Sequence, residues 1–148
     1  MEDSSLMARK LFTVQRRLVA APAYLDTQPK KPASPSDLVN WSWLLFAPVK
    51  RQKLVFHKAG KQKLIPRPES SITVNDTYAL SQLARAGAGL AIVPGFVAEP
   101  HVTAGDLHYV LPDWMLASFD VFAVWPSNAP KYGLVKHFIN FIADQYKS

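Results

Sequence analysis

Three polar residues in a row, Asn75, Asp76 and Thr77, follow a strand-like segment and precede a helical pattern. Each side chain can form hydrogen bonds, and Asp76 also carries a negative charge. The first N–H groups of a helix have no partner within the helix, so they can bind a ligand or a capping side chain. The sequence therefore predicts a ligand-binding edge here. The alternative is that Asn75 or Asp76 serves only as the N-cap of the helix.

Two glycines, Gly87 and Gly89, follow that helical pattern and precede the apolar run at 90–94. A dinucleotide-binding loop has its glycines in the opposite order, after a strand and before a helix, so that the helix N-terminus faces the pyrophosphate. We therefore predict that Gly87 is the C-cap of the helix and that Gly89 permits close approach of helix and strand. The AGKQ segment at 59–62 lacks the glycine and hydroxyl residues of a P-loop and indicates a hairpin turn.

Catalytic and metal-binding patterns are absent from the sequence. Its four histidines lack ligand spacing, and it contains no cysteine. Neither a nucleophile elbow nor a zinc-protease motif occurs, and the aspartates are spread singly. The sequence therefore predicts a protein that is not an enzyme and has no metal and no cofactor.

A basic segment lies between residues 50 and 67. It contains Lys50, Arg51, Lys53, Lys58, Lys61, Lys63 and Arg67 without an acidic residue, and the net charge of the whole chain is +6. Such a segment can attract phosphates. However, aromatic residues are not interleaved with it as in single-strand-binding proteins. We favour the solvated face of a hairpin whose lysines protect a sheet edge.

Length and composition favour one core. The chain has 148 residues, of which 49% are hydrophobic and 19% are charged, which is too short for several ordinary domains. The start lacks the apolar region of a signal peptide, and no window approaches the roughly 20 apolar residues of a membrane span. Both observations favour a soluble cytoplasmic protein.

Periodicity predicts an α/β fold. A capped turn is expected around Ser36 and Asp37, a helix at 77–86, a short helix after Pro94 and an amphipathic helix at the C-terminus. The predicted strands are WSWLLFAP, the two arms of KLVFHKAGKQKLIP, SSITV at 70–74, LAIVP at 90–94, HYVLP and FDVFAVWP. Strand, helix and strand across 70–94 imply a parallel crossover.

Six segments in a fixed order resemble the effector-binding, or substrate-binding, domain of LysR-type bacterial transcriptional regulators. They are DSSLMARKL at 3–11, RRLVAAPAYL at 16–25, PSDLVNW at 35–41, VND…AL…ARAGAGLAIVP from 74, GDL…VLPDW at 105–114, and VFAVWPSN…LVKHFINFIAD from 121. The resemblance covers nearly the whole chain. It implies a periplasmic-binding-protein-like fold, in which two α/β subdomains joined by crossing strands hold a small molecule in the cleft between them.

The resemblance also implies boundaries and site residues. Residues 22–120 would form effector subdomain II, while 1–21 and 121–148 would supply a remnant of subdomain I with the crossing strands and the C-terminal helix. The implied effector-binding residues are Asn75, Asp76, Thr77, Pro22, Pro94, Ser4 and Ser5. The charge of the effector stays open, because Asp76 would repel an anion unless its carboxylate is turned into the cap.

The function implied by the resemblance is effector sensing, in which a ligand-induced change of the cleft regulates transcription in a full-length oligomeric regulator. The family's helix-turn-helix and the first half of subdomain I have no counterpart here. The chain alone is therefore expected not to bind DNA specifically, and its C-terminal helix is expected to expose Phe138, Phe141 and Ile142. One alternative is a fragment that senses nothing and only self-associates or pairs with intact regulator subunits. Another is nucleic-acid binding through the basic segment.

Overall fold

The structure is a computed structural model that describes residues 5–49, 53–65, 68, 71–128 and 133–145. The chain divides into two compact units, which we call unit 1 (Met1–Val14 and Ser118–Ser148) and unit 2 (Gln15–Ala117). The subdomain boundaries predicted from the sequence lie at 22 and 120 instead. The first difference arises because the strand at Arg16–Ala20 has its sheet partners in unit 2.

Strands predominate in the chain. They are β1 (Leu6–Val14), β2 (Arg16–Ala20), β3 (Trp43–Phe46), β4 (Leu54–Lys58), β5 (Lys61–Ile65), β6 (Ser71–Val74), β7 (Leu90–Pro94), β8 (His108–Tyr109), β9 (Met115–Leu116) and β10 (Phe119–Pro126). The helices are α1 (Pro22–Leu25), α2 (Thr77–Arg85), α3 (Gly95–Thr103) and α4 (Leu134–Gln145), and two 3-10 turns occur at Pro35–Leu38 and Ala47–Val49.

A five-stranded sheet of order β6-β3-β7-β2-β8 organises unit 2. β3 is parallel to both β6 and β7, whereas β2 is antiparallel to β7 and β8. The parallel direction predicted for the crossover from β6 through α2 to β7 is confirmed, although β3 lies between the two strands. The carboxyl ends of β6, β3 and β7 consequently lie at one edge of the sheet together with the start of β2. We call this the carboxyl edge.

Both faces of this sheet are buried. Because side chains alternate along a strand, Trp43 and Leu45 pack into one core layer and Leu44 into the other. The second layer includes Leu80 from α2 and Ala98 from α3. Burial on both sides explains why strand segments such as LAIVP are continuously apolar rather than alternating.

The hairpin of β4 and β5 is confirmed at the position that the sequence predicted. Ala59 and Gly60 connect its strands with φ angles of 47° and 81°, and two positive φ angles are typical of a tight two-residue hairpin turn. Phe56 and Ile65 bury the inner face of the hairpin in the core. Lys53, Lys58, Lys61 and Lys63 are exposed, as a solvated face requires, whereas Lys50, Arg51 and Arg67 lie outside the described residues.

The two glycines after α2 differ in role. Gly87 has a φ of 88° and donates its N–H to Ala84 O at 3.0 Å, which closes the helix end one residue after the C-cap Ala86. A side chain at Gly89 would place its Cβ 2.5 Å from Ser42 O. The predicted close approach at Gly89 is therefore confirmed, but its partner is the backbone before β3 rather than a helix.

The strand predicted for HYVLP is wrong beyond Tyr109. β8 comprises His108–Tyr109 only, and Leu111 has a φ of 51°, which a strand does not permit. Trp114 donates its N–H to Leu111 O at 2.9 Å, so the chain turns here. The turn then leads into β9, which pairs with β4 and was not predicted.

Unit 1 consists of an antiparallel ribbon of β1 and β10, with α4 against β1. Ile139 of α4 is buried. The predicted exposure of α4 is confirmed for Phe138 and Phe141, which are 62% and 60% exposed, whereas Ile142 is half-buried.

Candidate effector-binding site

Four of the predicted site residues lie at the carboxyl edge of the sheet in unit 2. Asn75, Asp76 and Thr77 directly follow β6, and Pro94 ends β7. Because β3 separates these parallel strands, their ends are about 10 Å apart, twice the usual strand spacing. That separation suits a small molecule contacted from both sides. Carboxyl ends of strands in open α/β sheets are the usual place for ligands.

Asp76 is the N-cap of α2. Its carboxylate accepts hydrogen bonds from Tyr78 N at 3.3 Å and Ala79 N at 3.2 Å. The capping role that the sequence offered as an alternative is therefore what this side chain performs. Two N–H groups of the helix start are consequently taken by Asp76 rather than left for a ligand, and the negative charge is held against the positive end of the helix.

Asn75 and Thr77 flank this cap. Asn75 is exposed at the bend after β6, and Thr77 is half-buried as the first residue of α2. An amide and a hydroxyl can each donate and accept hydrogen bonds, so these two side chains can bind neutral or charged polar groups. Because Asp76 occupies two N–H groups of the helix start, Asn75 and Thr77 are the side chains that can form hydrogen bonds with a ligand there.

Arg16 belongs to this edge and was not predicted. It begins β2, is paired with Pro94 in register, and is half-buried. Its Nε donates to Ala117 O at 2.9 Å. Burial lowers the pKa of the Arg16 guanidinium below its ordinary value, but an arginine keeps its proton at neutral pH. Among the described residues Arg16 has no acidic salt-bridge partner, so it supplies positive charge at the edge.

Two exposed aromatic side chains stand at the helix starts beside this edge. Tyr78 near the start of α2 is 68% exposed and Phe96 near the start of α3 is 66% exposed. Tyr78 does not join the buried face of α2, which includes Leu80 and Ala84. The start of α3 is held to the residue that precedes β2, because Gly95 donates its N–H to Gln15 O at 2.7 Å. The sequence could have indicated Phe96 as a residue of this edge, because it lies two positions after the predicted strand at 90–94.

Pro22, a further predicted site residue in unit 2, does not lie at this edge. Pro22 begins α1 after β2, and β2 runs away from the carboxyl edge, since Arg16 pairs with Pro94 but Val19 pairs with Ala91. The four steps of β2 alone cover about 13 Å. Ser5 is exposed in unit 1, where its carbonyl accepts from Ser127 N at 3.1 Å. Ser4 lies outside the described residues.

The described residues include no group of three or more histidine or acidic side chains placed to bind a metal ion. In the same residues no helix has the length and apolar character needed to cross a membrane.

A family model described as the LysR substrate binding domain matches residues 2–147. The match spans almost every residue and agrees with the mixed α/β sheet described above. The chain therefore belongs to the LysR substrate-binding domain family, with its periplasmic-binding-protein-like fold, and the resemblance drawn from the six sequence segments is confirmed.

Curated relatives are bacterial transcriptional regulators. The chain is 30% identical over 148 residues to the HTH-type transcriptional activator AaeR of Escherichia coli (strain K12), covering 99% of this chain and 47% of that protein. It is 31% identical over 127 residues to an uncharacterised HTH-type transcriptional regulator of Haemophilus influenzae, covering 86% of this chain and 44% of that protein. The chain thus spans about half the length of these relatives.

Solved structures of regulatory domains share the fold. The regulatory domain of the C227S variant of AphB from Vibrio vulnificus superposes with a TM-score of 0.78 at 25% identity, covering 97% of this chain and 73% of that chain. The CrgA regulatory domain from Neisseria meningitidis superposes with a TM-score of 0.79 at 22% identity, covering 99% of this chain and 72% of that chain. The second likeness shows the fold alone.

Proposed function

We propose that this chain is the small-molecule-sensing part of a LysR-type transcriptional regulator and that its effector binds at the carboxyl edge of unit 2. The observation that carries the proposal is the convergence of Asn75, Thr77, Pro94 and Arg16 at the end of one α/β sheet. Polar side chains with complementary roles lie along this end of the sheet, where such folds bind ligands.

The charges at this edge favour an effector with an anionic or hydrogen-bond-accepting group. Arg16 supplies a positive charge without an acidic partner among the described residues. Asp76, which would repel an anion, directs its carboxylate to Tyr78 N and Ala79 N. The exposed rings of Tyr78 and Phe96 offer apolar surface for the body of the effector.

The proposed output is control of transcription. An effector that binds one arrangement of the domain more tightly than another shifts the population toward it. In a full-length oligomeric regulator located in the cytoplasm, this shift would change how the DNA-binding parts hold their operator. The relatives' names support this output, because they describe transcriptional regulators that contain a helix-turn-helix.

A second candidate function is association without sensing. The exposed Phe138 and Phe141 of α4 favour it, because large exposed apolar side chains on one helix are typical of interaction surfaces. In this case the chain would self-associate or pair with intact regulator subunits, and no small molecule would stabilise it.

Thermal denaturation with a panel of small carboxylates, aromatic compounds and amines tests the sensing proposal. A compound present at 100 times its Kd stabilises the fold by about 2.7 kcal/mol, which raises the Tm by roughly 5–10 °C in a domain of this size. We expect Arg16→Gln, Asn75→Ala and Thr77→Ala to remove most of the shift. Pro22→Ala is the matched control, since Pro22 lies away from the carboxyl edge. A shift that survives all three edge substitutions, or a panel without any shift, contradicts the proposal.

A further inference from the structure

A cavity of about 580 Å³ lies in unit 2, away from the carboxyl edge. Its walls come from the 25–33 segment and from the 109–114 segment, with Trp41 and Lys58 also lining it. β2 leads from the carboxyl edge toward this cavity, because α1 and the 25–33 segment follow its last residue and Tyr109 pairs with Val19. We call the cavity the Lys–Trp groove. Its volume falls within the range of ordinary small-molecule pockets.

The first wall is held in place by hydrogen bonds. Thr27 donates its hydroxyl to Tyr24 O at 2.6 Å, and Gln28 donates its N–H to Leu25 O at 3.1 Å. At the other end of the segment, the carboxylate of Asp37 accepts from Ala33 N at 2.9 Å and from Ser34 N at 3.1 Å. These bonds confirm the capped turn predicted around Asp37. They also hold the two ends of the 25–33 segment in place.

The second wall is fixed by a turn. Val110 donates its N–H to Leu18 O at 2.9 Å, which anchors the wall to β2. Leu111 is buried with a φ of 51°, a conformation that is unfavourable for a residue with a side chain. The contacts that surround Leu111 must compensate for this unfavourable backbone conformation. The wall is therefore a preformed surface.

The side chains that line the groove carry more positive than negative charge. Three lysines, Lys30, Lys31 and Lys58, line it together with two aspartates, Asp26 and Asp113. Within the described residues none of these lysines forms a salt bridge. Nζ of Lys58 lies 5.8 Å from the centroid of the Trp114 ring, within the distance for a cation–π contact. An ammonium group and an indole ring thus occupy the same part of the groove.

Trp114 adds an unsatisfied donor. Its Nε1–H is buried and has no hydrogen-bond acceptor among the described residues. A buried donor without a partner is unfavourable, and an oxygen acceptor from a ligand would satisfy it. Trp41 and Leu111 provide apolar surface in the same cavity. The groove therefore combines positive charge with apolar walls, and one of its lining side chains carries an unpartnered N–H.

We propose that the Lys–Trp groove is a second ligand site and that it binds an aryl carboxylate. The carboxylate would accept from Lys58 and from Trp114 Nε1–H, and the ring would lie against the apolar walls. An inorganic anion offers nothing to the apolar walls, and a neutral aromatic molecule offers nothing to the excess positive charge of three lysines over two aspartates. A molecule with both parts can use the lysines and the apolar walls together.

The indole N–H signals of the chain, followed by two-dimensional NMR, test the proposal with 1-naphthoate as the probe. Trp114→Phe keeps an aromatic side chain but removes the indole N–H, so the signal that disappears in this variant is that of Trp114. We expect 1-naphthoate to move this signal with saturation, and 1-naphthalenemethanol and inorganic phosphate to bind at least about threefold more weakly. Lys58→Gln should weaken 1-naphthoate by about threefold or more, because it removes a charge-assisted contact.

The control variant is Lys63→Gln, which removes an exposed lysine of the same hairpin outside the groove. Arg16→Gln tests the carboxyl edge in parallel. Binding that weakens with Lys58→Gln but persists with Lys63→Gln and Arg16→Gln supports the proposal. A Trp114 signal that does not move, equal affinity for 1-naphthalenemethanol, or loss of binding only with Arg16→Gln overturns it.

Discussion

Unit 2 closes its sheet between two apolar layers, whereas unit 1 leaves one side of its ribbon open. In unit 2, Leu44, Leu80 and Phe56 are each 1% exposed. In unit 1, alternate residues of β10 such as Phe122 and Val124 are 52% and 57% exposed. Both units have strands with apolar residues, so the difference lies in what covers them.

This difference shows where the stability of the chain resides. A two-stranded ribbon is marginal in water, and among the described residues of unit 1 only α4 adds a further layer to it. Unit 2 instead has parallel and antiparallel partners on its central strands and helices over one face. The candidate effector-binding residues of the carboxyl edge and the Lys–Trp groove both lie in unit 2. The more extensively packed unit therefore carries both candidate sites.

The largest expected contrast comes from removing one side chain in each unit. Leu80→Ala in unit 2 should lower the free energy of unfolding by about 2–5 kcal/mol, because it leaves a cavity between α2 and the sheet. Phe122→Ala in unit 1 should lower it by only about 1 kcal/mol, because about half of this side chain is already exposed to water. Denaturation with urea, followed by circular dichroism, measures both values. Equal losses in the two variants would contradict the difference between the units.

A smaller effect is expected from the exposed apolar surface of α4. The dye ANS should bind the chain at Phe138 and Phe141, and replacing both residues with Ser should lower its fluorescence by about half. The free energy of unfolding should hardly change, because these rings are mostly exposed. Tyr78→Ser in unit 2 is the matched control, since it removes an exposed ring outside unit 1. A monomeric chain that binds no ANS would refute the role given to this surface.

The fold was predictable where one local signal decides the structure. The helix predicted at 77–86 is observed as Thr77–Arg85, and the strand predicted at 90–94 is observed at those residues. Capping residues and a continuous apolar run specify these elements within a few positions of the chain. The hairpin turn at Ala59 and Gly60 was readable for the same reason.

The fold was not predictable where distant residues decide the structure. The insertion of β3 between β6 and β7 depends on a strand formed some thirty positions earlier in the chain, about which the local pattern of α2 says nothing. The turn at Leu111 was missed because a positive φ at a leucine has no sequence signal. Tertiary packing holds that residue in place.

The candidate site shows the same limit. Asn75, Asp76 and Thr77 were found from the sequence because they are adjacent and precede a helix. Arg16 was missed because only the antiparallel register of β2 with β7 brings it to Pro94. That register also carries Pro22 away from the edge.

The smallest expected effect concerns the titration of Asp120 in unit 1. The hydroxyl of Thr13 donates to Asp120 at 2.7 Å, and Nζ of Lys10 lies 3.4 Å away, so the pKa of Asp120 is lowered below its ordinary value of 3.8. A lowered pKa in the folded state stabilises the fold above the ordinary value, and this contribution is lost as the pH falls through the folded-state pKa.

Because the hydrogen bond from Thr13 is the largest cause, Thr13→Val should raise the pKa of Asp120 toward 3.8, and Lys10→Gln should raise it less. Asp37 in unit 2 is the internal control, since backbone N–H groups of Ala33 and Ser34 lower its pKa and neither substitution touches them. Carboxyl carbon shifts followed by NMR from about pH 2 to about pH 7 measure both groups. If Lys10→Gln raises the pKa of Asp120 more than Thr13→Val does, the charge of Lys10 rather than the hydrogen bond from Thr13 is the main cause of the lowered pKa.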